Sequence, residues 1–324
     1  MATSRIKTSS ILQGFPKSRS LLAGNAYFVP IVKGGFVCGG INSSSVKVDT
    51  IFKITFSNDT TTTLSATLST PTTLPAAYAS STNGYAAGGS DATPTTLTTV
   101  AKLSFATESR TNLGTGLATA TQNQYSFASS TNGYAAGGVQ SGTIITSIQK
   151  MLFSTDVFST SSATMSAQNN IGASFASSTN GYCAGGENNV GGVVTTVDKI
   201  NFSGDSRTTL GTGLSAARYL NSGFSSSTNG YALGGWNSTS SALQTTVNKF
   251  LFSDDSRTTL STGLPTGLGY APQGINSTDA GFFMGGYSGV EVATVYKFAF
   301  SDDSRSTLSN LPAARRSANG FSNV

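Results

Sequence analysis

With 324 residues, of which 37 are Gly and only 10% are charged, the chain is long enough for one large domain or two small ones, and its Ser, Thr, Asn and Gly vocabulary suits short strands and tight turns. The 19 Lys and Arg exceed the 14 Asp and Glu for a formal net charge of +5, but they are spread one or two to a segment rather than gathered in the stripe a nucleic-acid groove requires, so no nucleic-acid partner is expected. The absence of histidine removes Ser-His and Cys-His nucleophile pairs and the commonest metal ligand, and Cys38 and Cys183 form neither a disulfide framework nor a metal-type spacing.

Taken from the start, residues 1–24 read as an extended arm. Arg5, Lys7, Lys17 and Arg19 occur there with no acidic residue before Asp49, the pattern of a segment that docks on a neighbouring subunit. "MATSRIKTSSILQGFPKSRS" has no apolar core of signal-peptide length, and no run of about 18 apolar residues occurs in the chain. Synthesis in a cytoplasm without membrane insertion is the expectation.

From residue 25 to 324 the chain repeats itself. A glycine pair falls at Gly39-Gly40, Gly88-Gly89, Gly137-Gly138, Gly185-Gly186, Gly234-Gly235 and Gly285-Gly286, at intervals of 49, 49, 48, 49 and 51 residues. A period near 50 is that of propeller blades. Each unit reads as four strands: a first such as "NSGFSSS" at 221–227, a second ending in the glycine pair, a third such as "TTVDKINFS" at 195–203 and a fourth such as "RTTLGTGL" at 207–214. The spacing predicts an all-β fold, a six-bladed β-propeller of four-stranded antiparallel blades. "RRSANGFSNV" at 315–324 starts a seventh repeat and stops after its first strand, which suits ring closure, although "NAYFVP" at 25–30 is a rival for that place.

Local patterns carry finer expectations. Asn-Gly at 83–84, 132–133, 180–181 and 229–230 predicts a type I′ turn between the first and second strands. The glycine pair suits an innermost place on the ring axis. In the third strand Lys53, Lys102, Lys150, Lys199, Lys249 and Lys297 each precede by three residues a Phe (56, 105, 153, 202, 252, 300). The Phe is read as core between blades and the Lys as a solvated or salt-bridged position rather than an anion ring. The acidic turn that follows, as in "SGDS" at 203–206 and "SDDS" at 253–256, is read as hydrogen-bonding its own backbone.

These residues resemble kelch repeats. "SAARYLNSGF" at 215–224 and "LPAARRSANGF" at 311–321, with Arg218 and Arg316 opening the first strand, carry the likeness, and so does the "NGY" that runs into the glycine pair. Leu210 and Leu260 stand where kelch repeats often have Trp. Ser203, Asp205 and Thr209 also resemble the Asp-box turn of sialidase propellers, with Arg207 in place of its Gly. The kelch resemblance implies the propeller fold; the functions of that family are too varied to carry over.

No catalytic residue, metal site or cofactor is expected. Glu occurs only at 108, 187 and 291, and the Asp pairs 254/255 and 302/303 sit side by side on turns, which does not provide the facing carboxylates of glycoside hydrolysis. Binding fits better. The loops after the glycine pairs differ in every unit while the rest repeats, and recognition varies where scaffolds repeat. Trp236 and Tyr287 offer flat apolar faces, and with Glu187, Asn188, Asn189, Asp91 and Asn237 they suit a glycan or a partner surface.

The low-charge Ser/Thr/Gly/Asn composition resembles phage fibre and adhesin proteins, and "SRIKTSSILQGFPKSRSLLAGN" is similar to leaders of marine-phage virion proteins. That resemblance implies a structural virion protein of a tailed phage, in its tail or tail fibre. Its location would be the virion, its partners other virion subunits held in many copies through the arm, and a host-surface glycan. A free kelch-type or lectin-like binding module is the competing expectation.

Overall fold

A computed structural model describes residues 31–324. The arm residues Arg5, Lys7, Lys17 and Arg19 and the stretch 25–30 lie outside the described residues. Val32–Val324 form one compact unit, a six-bladed β-propeller with no helix among the described residues.

Five blades are four-stranded antiparallel sheets and the sixth is three-stranded. Blade 2 shows the plan: inner strand Ala76–Ala79, then Asn83–Ala87, Val100–Ser104 and outermost Arg110–Asn112. Blade 1 takes its inner strand from the end of the chain. Asn319–Asn323 pairs antiparallel with Gly34–Cys38, so that Phe36 faces Phe321. The ring is therefore closed by the C-terminal strand, and no sheet edge is left open at the seam.

The inner strands of neighbouring blades lie against one another around the axis. Blade 6 departs from the plan. The extra length of the 51-residue interval falls partly here: its inner run 271–276 is irregular, touches the sheet at the Asn276–Gly281 bridge, and places Gln273 in the axis.

Three expectations from sequence are corrected by this geometry. First, Asn-Gly is not the turn. The hairpin turns through Ser81 and Thr82, and the Ser80 hydroxyl oxygen accepts the Asn83 amide at 3.0 Å. Equivalent bonds hold Ser129, Ser177 and Ser226. Neither Asn83 nor Gly84 has a left-handed backbone. The glycine is needed for packing, because a Cβ at Gly84 would overlap the Phe321 ring of the preceding blade, as one at Gly133 would overlap Tyr78.

Second, the glycine pair is not on the axis, since the first strand occupies that place. The pair ends the second strand where the connection between blades crosses it. Gly185 and Gly186 have φ of 72° and 112°, and the Gly186 amide donates to the Arg218 carbonyl at 2.9 Å. The same bond recurs in every blade, from Gly40 to Thr72 through Gly286 to Arg315. Both the left-handed backbone and the close carbonyl exclude a side chain.

Third, the acidic turn does not spend its main carboxylate on itself. Lys102 pairs with Asp156 of the next blade at 2.7 Å, Lys199 with Asp255, Lys249 with Asp303 and Lys297 with Asp59, each at 2.7 Å; Lys150 pairs with Asp205 at 2.9 Å, and Lys53 with Glu108. Each Lys also lies over an aromatic ring of its own second strand, 5.6 to 5.8 Å from the centroid. All six acids have a left-handed backbone, which aims them at the neighbour. The residue before the acid does cap the turn, as Asp254 does for the Ser256 amide at 2.9 Å. These half-exposed pairs contribute at most about 1 kcal/mol each; their larger effect is to fix the register of blade against blade.

Core packing follows the same blade-to-next-blade rule. Phe153 of blade 3 stacks on Tyr85 of blade 2 at 5.5 Å, and Phe202 stacks on Tyr134, Phe252 on Tyr182 and Phe300 on Tyr231. Cys38 and Cys183 are buried free thiols, and burial pushes Cys38 up to about 12, which suppresses the reactive thiolate. Arg218 and Arg315, not Arg316, occupy equivalent places, both in the connections rather than in the inner strands. Arg218 is buried without a carboxylate; its guanidinium donates to the Thr246 and Ala232 carbonyls and to Asn248, and burial pushes its pKa down to about 10.

Candidate functional site

The two ends of the axis differ. At one end lie the loops after the glycine pairs together with the connections between blades. At the other end lie the Ser-Thr-Asn turns and the acidic turns, nearly identical from blade to blade.

At the loop end a belt of hydrogen bonds closes the axis. The Leu74 amide donates to the Ser317 carbonyl (2.8 Å), Ser317 to Tyr270 (2.8 Å), Tyr270 to Leu220 (2.9 Å), Leu220 to Ile171 (2.6 Å), Ile171 to Asn123 (3.0 Å) and Asn123 to Leu74 (3.2 Å). All six residues are left-handed, with φ between 53° and 62°, and none is glycine. A left-handed backbone costs a residue with a Cβ roughly 1–2 kcal/mol, so the belt holds strain that the ring offsets elsewhere. Beneath it Gln273 accepts the Ser174 amide at 2.5 Å and donates to the Gly172 carbonyl, while Asn319 donates to the Pro75 carbonyl at 2.7 Å. These two amides tie blade 6 to blade 4 and blade 1 to blade 2 beside the axis.

Around the belt stand the residues that follow each glycine pair. Ile41, Ser90, Val139, Glu187, Trp236 and Tyr287 each pair by backbone with a connection, Trp236 with Tyr219 and Tyr287 with Gly269. On the blade 2 and 3 side the paired side chains are small or polar: Ser90 with Thr73, and Val139 with Gln122. On the other side they build an aromatic arc. Tyr270 meets Tyr287 edge to face at 5.8 Å. The Arg316 guanidinium lies 5.6 Å from the Tyr270 ring and 5.2 Å from the Tyr287 ring, and its Nε donates to Glu291 at 2.7 Å. Burial raises the Tyr219 and Tyr270 hydroxyl pKa values, and the charge of Glu187 adds to both, which places that carboxylate in the same neighbourhood. Both phenols stay protonated donors at neutral pH.

The other sequence-predicted side chains are occupied. Asp91 accepts the Thr93 and Thr95 amides, Asn188 those of Val190 and Gly192, and Asn237 those of Thr239 and Ser240. Each forms its own loop, as Asn42 does in blade 1. Asn189 ties blade 4 to blade 3, accepting the Ile144 amide at 2.9 Å and donating to Gln168 at 2.5 Å. An Asn189→Ala variant is expected to lose about 1 kcal/mol, read as a fall of a few degrees in Tm, with ligand binding unchanged.

No protein-family model matches this chain, and no curated protein does. The site therefore stands on its own geometry. Sequence reading brought Trp236, Tyr287 and Glu187 together and missed Tyr219, Tyr270 and Arg316, which come from connections rather than loops. Their signal is the offset from the first glycine of the pair in the preceding loop: Tyr219 lies 34 residues after Gly185, Tyr270 36 after Gly234 and Arg316 31 after Gly285. Loop tips add exposed apolar groups at Val46, Val190 and Val290, with Val190 89% exposed.

Proposed function

We propose that this protein is a non-catalytic binding and architectural module whose loop end engages a glycan or a partner surface. The observation that carries it is the aromatic arc of Tyr219, Trp236, Tyr270 and Tyr287, flanked by Glu187 and the Arg316–Glu291 pair, on a ring whose repeated polar residues are spent on blade-to-blade contacts. Flat rings with polar edges suit the apolar face and hydroxyls of a sugar, or the rim of a protein partner. Among the described residues no group of three or more His, Cys, Asp or Glu is placed to hold a metal ion.

The finer reading is a virion component of a tailed phage, in the tail or its fibre, related to kelch propellers, with the basic arm anchoring to neighbouring subunits. The composition and the opening segment support it. A rigid disc displayed in many copies would convert a weak site into strong attachment. Mass spectrometry of purified particles tests this reading: the chain at stoichiometric level supports it, and particles that lack the chain refute it. A free lectin-like module would instead bind as a monomer.

A further inference from the structure

The repeated end of the propeller holds a second concave feature. A cavity of about 560 Å³ opens between the Ser-Thr-Asn turns and runs inward to Gly274 and Gly320, next in sequence to the inter-blade amides Gln273 and Asn319. That volume is within the range of small-molecule sites. Among the described residues its lining contains no Lys, Arg, Asp or Glu.

The cavity is two-sided. At the outermost inner-strand position, blades 2, 3 and 4 present Ala79, Ala128 and Ala176, while blades 5, 6 and 1 present Ser225, Asn276 and Ser322. At this position three consecutive blades are apolar and the next three polar, although the surrounding turns are near copies; Ser126 and Ser174 of blades 3 and 4 line the cavity further in. The polar arc keeps hydrogen-bonding capacity. Ser225 Oγ accepts the Ala176 amide at 2.8 Å and retains its proton for donation. Ser322 Oγ accepts the Asn276 amide at 3.0 Å and donates only a long 3.4 Å bond to the Gly274 carbonyl. The Asn276 side chain makes only a long 3.4 Å bond to the Ser277 carbonyl, which leaves its Oδ1 to accept. Inner strands are also sheet edges, so alternate backbone groups on them face the axis.

We propose that this cavity binds one neutral pyranose unit, its apolar C–H face on the alanine arc and its hydroxyls on Ser225, Asn276 and Ser322. Among the described residues the lining holds no Lys or Arg, so the carboxylate of a uronic or sialic acid would be desolvated there without a counter-charge. The inference is independent of the loop-end reading, because the two sites lie at opposite ends of the axis.

Saturation-transfer NMR on the full chain with methyl β-glucoside, methyl β-galactoside, N-acetylglucosamine and glucuronate tests it. At least one neutral probe is expected to bind, with transfer strongest at the C–H protons of one ring face, and glucuronate at least tenfold more weakly. Asn276→Leu, which fills the mouth from the polar side, is expected to weaken binding at least tenfold, and Ala128→Leu to do so from the other side. Trp236→Ala is expected to leave it unchanged. Melting curves of each variant accompany the titration, and the transfer pattern of the unmodified chain reports on the pose without any variant. No binding by any neutral probe, binding that survives Asn276→Leu, or binding lost on Trp236→Ala would each overturn the proposal.

Discussion

Deleting residues 319–324 is expected to abolish the cooperative native melt. Those residues are the inner strand of blade 1, paired along Gly34–Cys38. They carry Phe321, which stacks on Phe36 at 5.5 Å and covers Gly84 of blade 2, and Asn319, whose amide ties blade 1 to blade 2. Emptying a buried Phe position costs about 3–5 kcal/mol, and the lost ladder and inter-blade hydrogen bonds add about 1 kcal/mol each. The total is comparable with the whole stability of a typical domain, about 5–15 kcal/mol, and the deletion leaves Gly34–Cys38 as a raw sheet edge. Circular dichroism and size exclusion are expected to show an aggregating chain with no sharp transition, and a peptide of residues 315–324 added in trans is expected to restore part of the melt. A truncated chain that melts within a few degrees of the full one would contradict the closure.

Gly185→Ala is expected to cost about 3–6 kcal/mol. A left-handed backbone with a Cβ accounts for about 1–2 kcal/mol. The added methyl would lie 2.6 Å from the Arg218 carbonyl oxygen, and overpacking of that kind costs about 1–3 kcal/mol. Moving the carbonyl weakens the Gly186 bond to it, for about 1 kcal/mol more. Gly191→Ala is the control, because Gly191 has the same φ of 72° with nothing near its Cβ; it is expected to cost about 1 kcal/mol. Melting of the two variants separates the backbone cost from the close approach, and equal falls in Tm would show that the blade connection does not matter there.

How much of this could be read from the sequence depends on what a repeat encodes. The interval between glycine pairs gave blade number and strand order, because identical segments must occupy equivalent places. It did not say which neighbour each place faces. Lys249 and Asp303 are 54 residues apart, one period plus a few, so the blade-to-blade pairing of every Lys was invisible to a reading confined to one repeat. For the same reason the Asn-Gly glycine looked like a turn residue, when the Tyr78 ring of another blade is what excludes a side chain at Gly133. The glycine pair was assigned to the axis on crowding alone, and crowding does occur there, but against the connection rather than the centre.

At the candidate site the legible residues were those that break the repeat. Trp236 and Tyr287 stood out because Ser90 and Val139 hold the same place in other blades. Asp91, Asn188 and Asn237 also looked like recognition residues, yet each is the acceptor that folds its own loop, a role polarity alone does not distinguish. Tyr219, Tyr270 and Arg316 join the arc only through tertiary pairing. The long 51-residue interval is visible in the sequence, but its consequence, Gln273 reaching from blade 6 to blade 4, depends on tertiary pairing.

The central claim is that recognition belongs to the aromatic arc at the loop end. Its most direct test compares the unmodified chain with a Trp236→Ala/Tyr287→Ala variant on a glycan array and on intact bacterial cells, with Tm measured alongside. For binding that the cavity variant Asn276→Leu leaves intact, a loss of at least tenfold, with Tm within a few degrees, is the predicted result. Unchanged binding by the double variant would contradict the claim.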